Sequence, residues 1–180
     1  MIGNVLKKCL LFVSCLVLSL CSTVYAASYD HEITAQKMTF SWKVDGANLN
    51  VRLSAPTKGW VAIGFNPSKE MKDAKFVLGY VKDGKAVLSD EFGTGENKHD
   101  AVEDLGGKSD VTLVGGTEAG GITTIEFTLP LVAKDTKGGK IDPAADTVVL
   151  LAYGPDHDSF KMKHKFRTSL TVNLTTGKNK

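Results

Sequence analysis

The run Phe160-Lys161-Met162-Lys163-His164-Lys165-Phe166-Arg167 concentrates the side chains most able to do chemistry. Read as a strand, it sets Phe160, Met162, His164 and Phe166 on one face and four cations on the other, because side chains alternate along an extended chain. One face is then wet, and the other offers an imidazole among aromatic rings and a thioether. An imidazole turned toward an apolar pocket needs a partner for its ring nitrogens. A backbone carbonyl is one such partner and makes His164 an ordinary core histidine. Haem iron is another, with the flanking phenylalanines packed on the porphyrin.

A second stretch, Gly59-Trp60-Val61-Ala62-Ile63-Gly64-Phe65-Asn66-Pro67-Ser68-Lys69-Glu70-Met71, runs from a buried strand through an Asn-Pro-Ser turn into a polar connection. Met71 falls where such a loop folds back over the end of a sandwich. Taken alone, this flexible thioether reads more simply as ordinary gap-filling in a core. Asp156-His157-Asp158, with His99-Asp100 from another segment, offers divalent-metal chemistry, yet its spacing matches no metal motif and both segments read as solvated loops. His31 has no evident specific role. The chain contains no Gly-x-Ser-x-Gly, no phosphate-cradling loop and no His-Glu-x-x-His. Glu103-Asp104 reads as part of a polar surface loop.

The elements that must position these residues are short strands separated by turn chemistry. Met38–Val44 alternates and returns through Asp45-Gly46 into Leu49–Leu53, and Asp83-Gly84 joins Phe76–Val81 to Ala86–Leu88. Asp-Gly between alternating runs marks a hairpin, since both residues accept positive φ. Trp60–Phe65 is a continuous apolar run suited to a buried strand. Further strands are predicted at Val111–Val114, Ile122–Leu129, Thr147–Tyr153 and Ser169–Leu174. Asp90–Asp110, polar and glycine-rich, reads as a long loop, and the lysine-rich tail after Leu174 as frayed. With no long helical periodicity, the pattern predicts an all-β antiparallel sandwich.

The N-terminus reads as a secretory signal peptide: Lys7 and Lys8, an apolar run from Cys9 to Cys21, and a small-residue cleavage site ending at Ala26. The run is shorter than the roughly 20 residues of a membrane span, although a retained anchor and a lipidated Cys21 are alternatives. The expected division is therefore 1–26 as signal and 27–180 as one domain. All three cysteines lie in the signal, so the mature chain has no disulfide, no thiolate site and no Cys-x-x-Cys-His for covalent haem. Loss of two lysines reduces the 22 basic residues to 20, equal to the 20 acidic ones. With that balance nothing in the composition points to nucleic acid, which usually calls for a strongly basic surface.

Taken together, Gly59–Phe65, Met71, Leu78-Gly79-Tyr80, Ala152-Tyr153-Gly154 and Ser169-Leu170-Thr171-Val172-Asn173-Leu174 resemble the DOMON family, haem-binding type, over about Phe40 to Leu174. The resemblance implies an immunoglobulin-like sandwich holding one non-covalent haem b. Its axial ligands would be a Met after the Gly-Trp strand and a His before the last strand, which correspond to Met71 and His164. The order after the histidine departs from the family pattern: Lys165-Phe166-Arg167-Thr168-Ser169 keeps the basic character and the serine but lacks the glycines. Axial ligands approach iron from opposite faces, so Met162, two residues from His164 on the same strand face, is a poor partner for it. Met38 has no supporting context. Phe160, Met162 and Phe166 would line the cofactor.

The resemblance further implies electron transfer without substrate turnover, outside the cytoplasm (secreted or periplasmic), with a redox protein or membrane cytochrome as partner and no stable membrane insertion after signal cleavage. Lys161, Lys163, Lys165 and Arg167 form a cationic strip able to steer an acidic partner. Other DOMON members bind sugars, so a carbohydrate- or small-ligand-binding module using Trp42, Trp60 or Tyr80 is the alternative. A cofactor-free structural or adhesive sandwich is a third reading.

Overall fold

The computed structural model describes residues 28–135 and 138–180. The segment 1–26 expected to be a signal, with the three cysteines, lies outside the described residues. Among the described residues eleven strands form two sheets. One sheet has the order β1 (His31–Ala35), β2 (Met38–Asp45), β3 (Asn48–Ala55), β9 (Ile122–Pro130) and β8 (Thr112–Ala119). The other has the order β11 (Phe166–Asn173), β10 (Asp146–Tyr153), β4 (Val61–Phe65), β5 (Lys75–Lys82), β6 (Lys85–Gly95) and β7 (Lys98–Ala101). Every pairing is antiparallel, and the sheets face each other as a sandwich. No helix of the described residues is long and apolar enough to cross a membrane.

Two-residue turns drive the hairpins. Asp83 and Gly84 take φ of 51° and 73° between β5 and β6, which matches the right-handed twist of the strands they join. Between β2 and β3 the turn lies one residue later than expected: Asp45 pairs with Asn48, and Gly46 supplies the positive φ of 58°. Strict alternation then fills the interior. Phe40, Trp42, Leu49, Val51, Leu53, Phe65, Phe127 and Leu151 lie between the sheets with essentially no exposure, each contributing on the order of 1.5–3 kcal/mol of burial.

Three expectations are corrected. Asp90–Asp110 is not one long loop: β6 continues to Gly95 and turns into β7. Gly93, which looked like a loop glycine, is a strand residue, and a Cβ there would strike the Met71 carbonyl. The C-terminal tail is not frayed. Val172 bridges Asn179, the Lys180 amide bonds the Thr171 carbonyl at 2.9 Å, and the Lys180 ammonium lies 2.6 Å from Asp146. His31 also helps, its Nε2 lying 3.0 Å from the Thr175 carbonyl oxygen. Finally, Phe160–Lys165 is a turn and not a strand; extended structure begins at Phe166.

Candidate functional site

The outer face of the six-stranded sheet is recessed at its centre. Alternation on β4 sends Val61, Ile63 and Phe65 into the core and leaves Ala62 and Gly64 outside. Ala152 of β10 stands directly opposite Ala62, and Leu78 of β5 flanks Ala62 on the other side. Small side chains in the middle and Trp60, Phe76, Leu78 and Leu150 around them make an apolar basin. A Cβ at Gly154 would run into the Trp60 indole, and one at Gly64 into the Phe76 ring, so these glycines let the aromatic walls lie close to the sheet.

Two adjoining hollows of about 300 and 580 Å³ occupy this face, and Trp60, Met71, Leu78, His99, His164 and Arg167 border both. Volumes of this size suit a cofactor or small ligand, for which pockets run from roughly 300 to 1,000 Å³.

Met71 reaches the basin from the β4–β5 connection, a segment bent by positive φ at Asn66, Glu70 and Asp73. Its amide donates to the Glu96 carbonyl at 3.2 Å and its own carbonyl accepts the Ala74 amide at 3.3 Å. The neighbouring Asp73 amide bonds the Gly93 carbonyl at 2.8 Å. The loop is thereby seated on the β6–β7 hairpin, and the thioether is half-buried at that end of the sheet.

His164 arrives from the opposite end. The β10–β11 connection leaves the sheet after Tyr153, which pairs with Val61 at the start of β4, whereas Met71 follows Phe65 at its finish. Trp60 Nε1 donates to the Met162 carbonyl at 3.1 Å, and the Lys165 amide donates to the Tyr153 carbonyl at 2.8 Å. These bonds bracket His164 and aim it over the basin. Burial pulls its imidazole below the ordinary histidine value, and the Arg167 and Lys163 cations act in the same direction. A neutral ring retains the lone pair that a metal needs.

The residues expected around the histidine separate. Phe160 lines the larger hollow and packs on Tyr80 with ring centroids 4.7 Å apart. Met162 lines it too, partly exposed. Phe166 does not: it stacks on Tyr153 at 5.2 Å and packs against the core between the sheets. The shared face depended on extended geometry across the whole run, and the turn before Phe166 breaks the alternation. Lys161, Lys163, Lys165 and Arg167 are all exposed.

His99 is the residue whose role the sequence hid. Its Nδ1 bonds the Glu91 carboxylate, whose other oxygen accepts the Ser89 hydroxyl at 2.7 Å, and its ring lies 5.2 Å from that of Phe76. Desolvation alone would raise the Glu91 carboxyl, but the bonds from His99 and Ser89 outweigh it and hold the group below the ordinary value. His99 was paired above with His157, yet His157 is exposed in the β10–β11 connection and does not border the basin. Among the described residues no group of three or more His, Cys, Asp or Glu side chains gathers as a metal site. As strands, the two segments would set Glu91 with Gly93 on one face and His99 with Ala101 on another; that the two faces coincide is a property of the β6–β7 pairing.

Of the aromatic platforms considered for sugars, Trp42 is fully buried with Nε1 donating to the Leu174 carbonyl at 2.8 Å. Trp60 is 5% exposed with its indole N–H engaged, and Tyr80 is half-buried with its ring packed against Phe160.

Comparison with known proteins bears on the family and the fold. The chain is similar to DBH-like monooxygenase protein 1 of Mus musculus, 29% identical over 136 residues, covering 73% of this chain and 21% of that protein. The Homo sapiens protein of the same name is 31% identical over 124 residues, covering 68% and 19%. The chain thus spans about a fifth of the length of these relatives. Among solved structures, the cytochrome b domain of pyranose dehydrogenase from Coprinopsis cinerea superposes with a TM-score of 0.59 at 14% identity, covering 79% of this chain and 81% of that one. The cytochrome domain of Myriococcum thermophilum cellobiose dehydrogenase gives 0.51 at 14% identity, covering 82% and 83%. The DOMON domain profile matches residues 34–154, a span that includes Met71 and His99 and stops short of His164. By that match, the chain belongs to the DOMON domain family.

Proposed function

We propose that this chain is an exported electron-transfer module that holds one non-covalent haem b on the outer face of the six-stranded sheet, with Met71 and His164 as axial ligands. The observation that carries the reading is the placement of a thioether and an imidazole at opposite ends of one apolar basin. Trans ligation requires that disposition, and the donor pair is one that haem iron accepts. The apolar walls of Trp60, Phe76, Leu78 and Leu150 suit a flat hydrophobic macrocycle, while Arg167 on the rim offers a cation to its carboxylates. When bound, the haem supplies reversible one-electron chemistry, and a Met–His pair shifts its potential upward. The protein's own part is to fix the two ligands, dry the basin and keep His164 neutral.

The fold likeness to cytochrome b domains supports this reading at the level of architecture. The partner would be a redox protein or membrane cytochrome in the periplasm or outside the cell, approached through Lys161, Lys163, Lys165 and Arg167.

The test is an absorption spectrum of the protein produced with ample haem, oxidised and then reduced with dithionite. Sharp reduced α and β bands of a six-coordinate low-spin b-type haem are expected. Met71→Ala changes the spectrum and lowers the potential, and His164→Ala abolishes or badly weakens haem retention. A colourless protein that also refuses added haemin overturns the proposal.

A further inference from the structure

The basin has one more donor than a haem needs. His99 lies on β7 directly across from Gly93, and Gly93 lies immediately beneath the Met71 carbonyl. The Met71 loop is bonded to Glu96 in the turn that joins β6 to β7. Met71 and His99 therefore enter from the same end of the sheet, and His164 enters from the other. Both histidines and Met71 border both hollows.

His99 is also set up as a ligand in its own right. The Glu91 carboxylate accepts from Nδ1, so in the neutral ring the lone pair lies on Nε2. Among the described residues Nε2 has no hydrogen-bond partner. A carboxylate behind an imidazole is the arrangement that orients metal-binding histidines and strengthens them as donors. Glu91 is itself 7% exposed and anchored by Ser89, so the support is rigid. A histidine whose only task was to pair with Glu91 would have no need to border the basin beside Met71.

We propose that His99, oriented by Glu91, is a second iron ligand on Met71's side of the basin, able to take the position opposite His164 in place of Met71. This rests on the haem reading above and adds to it a built-in choice between thioether and imidazole, hence between a higher and a lower potential at one iron. Glu91 is a positioning residue that acts through His99.

The experiment is reconstitution of the full chain with haemin, followed by ferric absorption and electron paramagnetic resonance spectra. Wild type and His99→Ala are expected to show the near-infrared band of methionine ligation. Met71→Ala should lose that band yet remain six-coordinate and low-spin, whereas Met71→Ala with His99→Ala should become high-spin. Met71→Ala with His99→Gln, which preserves a polar partner for Glu91, should also be high-spin and guards against misfolding of the alanine pair. In the Met71→Ala background, Glu91→Ala should raise the high-spin fraction, and Glu91→Gln, whose amide oxygen still accepts from Nδ1, should restore the low-spin form. If Met71→Ala is already as high-spin as the double variant, or if the double variant stays low-spin, the proposal is wrong. Failure of the wild type to bind haemin is a different result, since it removes the cytochrome reading as a whole.

Discussion

On β6, Asp90 faces the interior of the sandwich, whereas Glu91, the next residue, faces the basin on the other side of the sheet. Each is a buried carboxylate with a basic partner. Asp90 meets Lys75, whose ammonium lies 2.6 Å from one carboxylate oxygen and 2.8 Å from the other, and 3.1 Å from Asp110. Ser109 and the Asp110 amide complete the inner cluster, and Lys75 is only 5% exposed. Burial pushes the Asp90 carboxyl upward against the pull of Lys75 and these hydrogen bonds. The inner cluster is closed on itself and clips the connection before β8 to the sheet. The outer pair is open, because His99 keeps one nitrogen toward a hollow. The same chemistry makes a structural clip on one face and a ligand support on the other, and what differs is whether the basic partner is enclosed between carboxylates, as Lys75 is, or borders a hollow, as His99 does.

That contrast can be broken most forcefully from the inside. Lys75→Met leaves two carboxylates buried without their cation, and it should cost about 3–5 kcal/mol in urea denaturation, the range for removing one partner of a buried ion pair. Adding Asp90→Asn and Asp110→Asn should recover part of it. A loss below roughly 1 kcal/mol, typical of an exposed pair, would show that the two faces do not differ as argued.

Glu91→Ala should cost less, about 1–3 kcal/mol, the penalty for an unsatisfied buried partner. It also has a pH signature. The folded-state value of Glu91 is depressed below its ordinary 4.5, so its contribution is fully present above that value and is lost as pH falls through the folded one. Wild type should therefore lose stability below about pH 4.5 more steeply than Glu91→Gln. Parallel acid-unfolding curves would count against the Glu91–His99 bond.

The smallest stability change is expected at Ala152→Leu, a half-buried position at the centre of the basin. The substitution should alter unfolding by no more than about 0.5 kcal/mol, yet a leucine there fills the space between Leu150, Ala62 and Trp60 and should block haemin uptake in a titration. Undiminished uptake would move the binding surface elsewhere.

Much of this was legible in the chain. The Asp83-Gly84 hairpin, the alternating core of β2 and β3, and the apolar run of β4 follow from turn chemistry and side-chain period. Met71 and His164 were singled out by the resemblance to the DOMON family, and both reach the basin. The errors share a cause. Phe160–Arg167 alternates as a strand would, but Trp60 and Tyr153 capture the backbone of Met162 and Lys165 and hold the segment as a turn. Asp90–Asp110 is polar enough to read as a loop, but its pairing across Gly93 and His99 is a property of two segments together. His99 was visible as a histidine; its proximity to Glu91 and Met71 was not.

The sequence by itself determined the all-β class, the hairpins and the residue types from which a haem site can be made, because alternation and positive-φ turns are local properties of the chain. Only the tertiary structure decided which of those residues share a cavity. Register between strands distant in sequence brings Ala62 opposite Ala152, turns Glu91 and not Asp90 toward the basin, and delivers Met71 and His99 to one end of the sheet with His164 at the other. Such placements depend on pairing and packing that no single segment encodes.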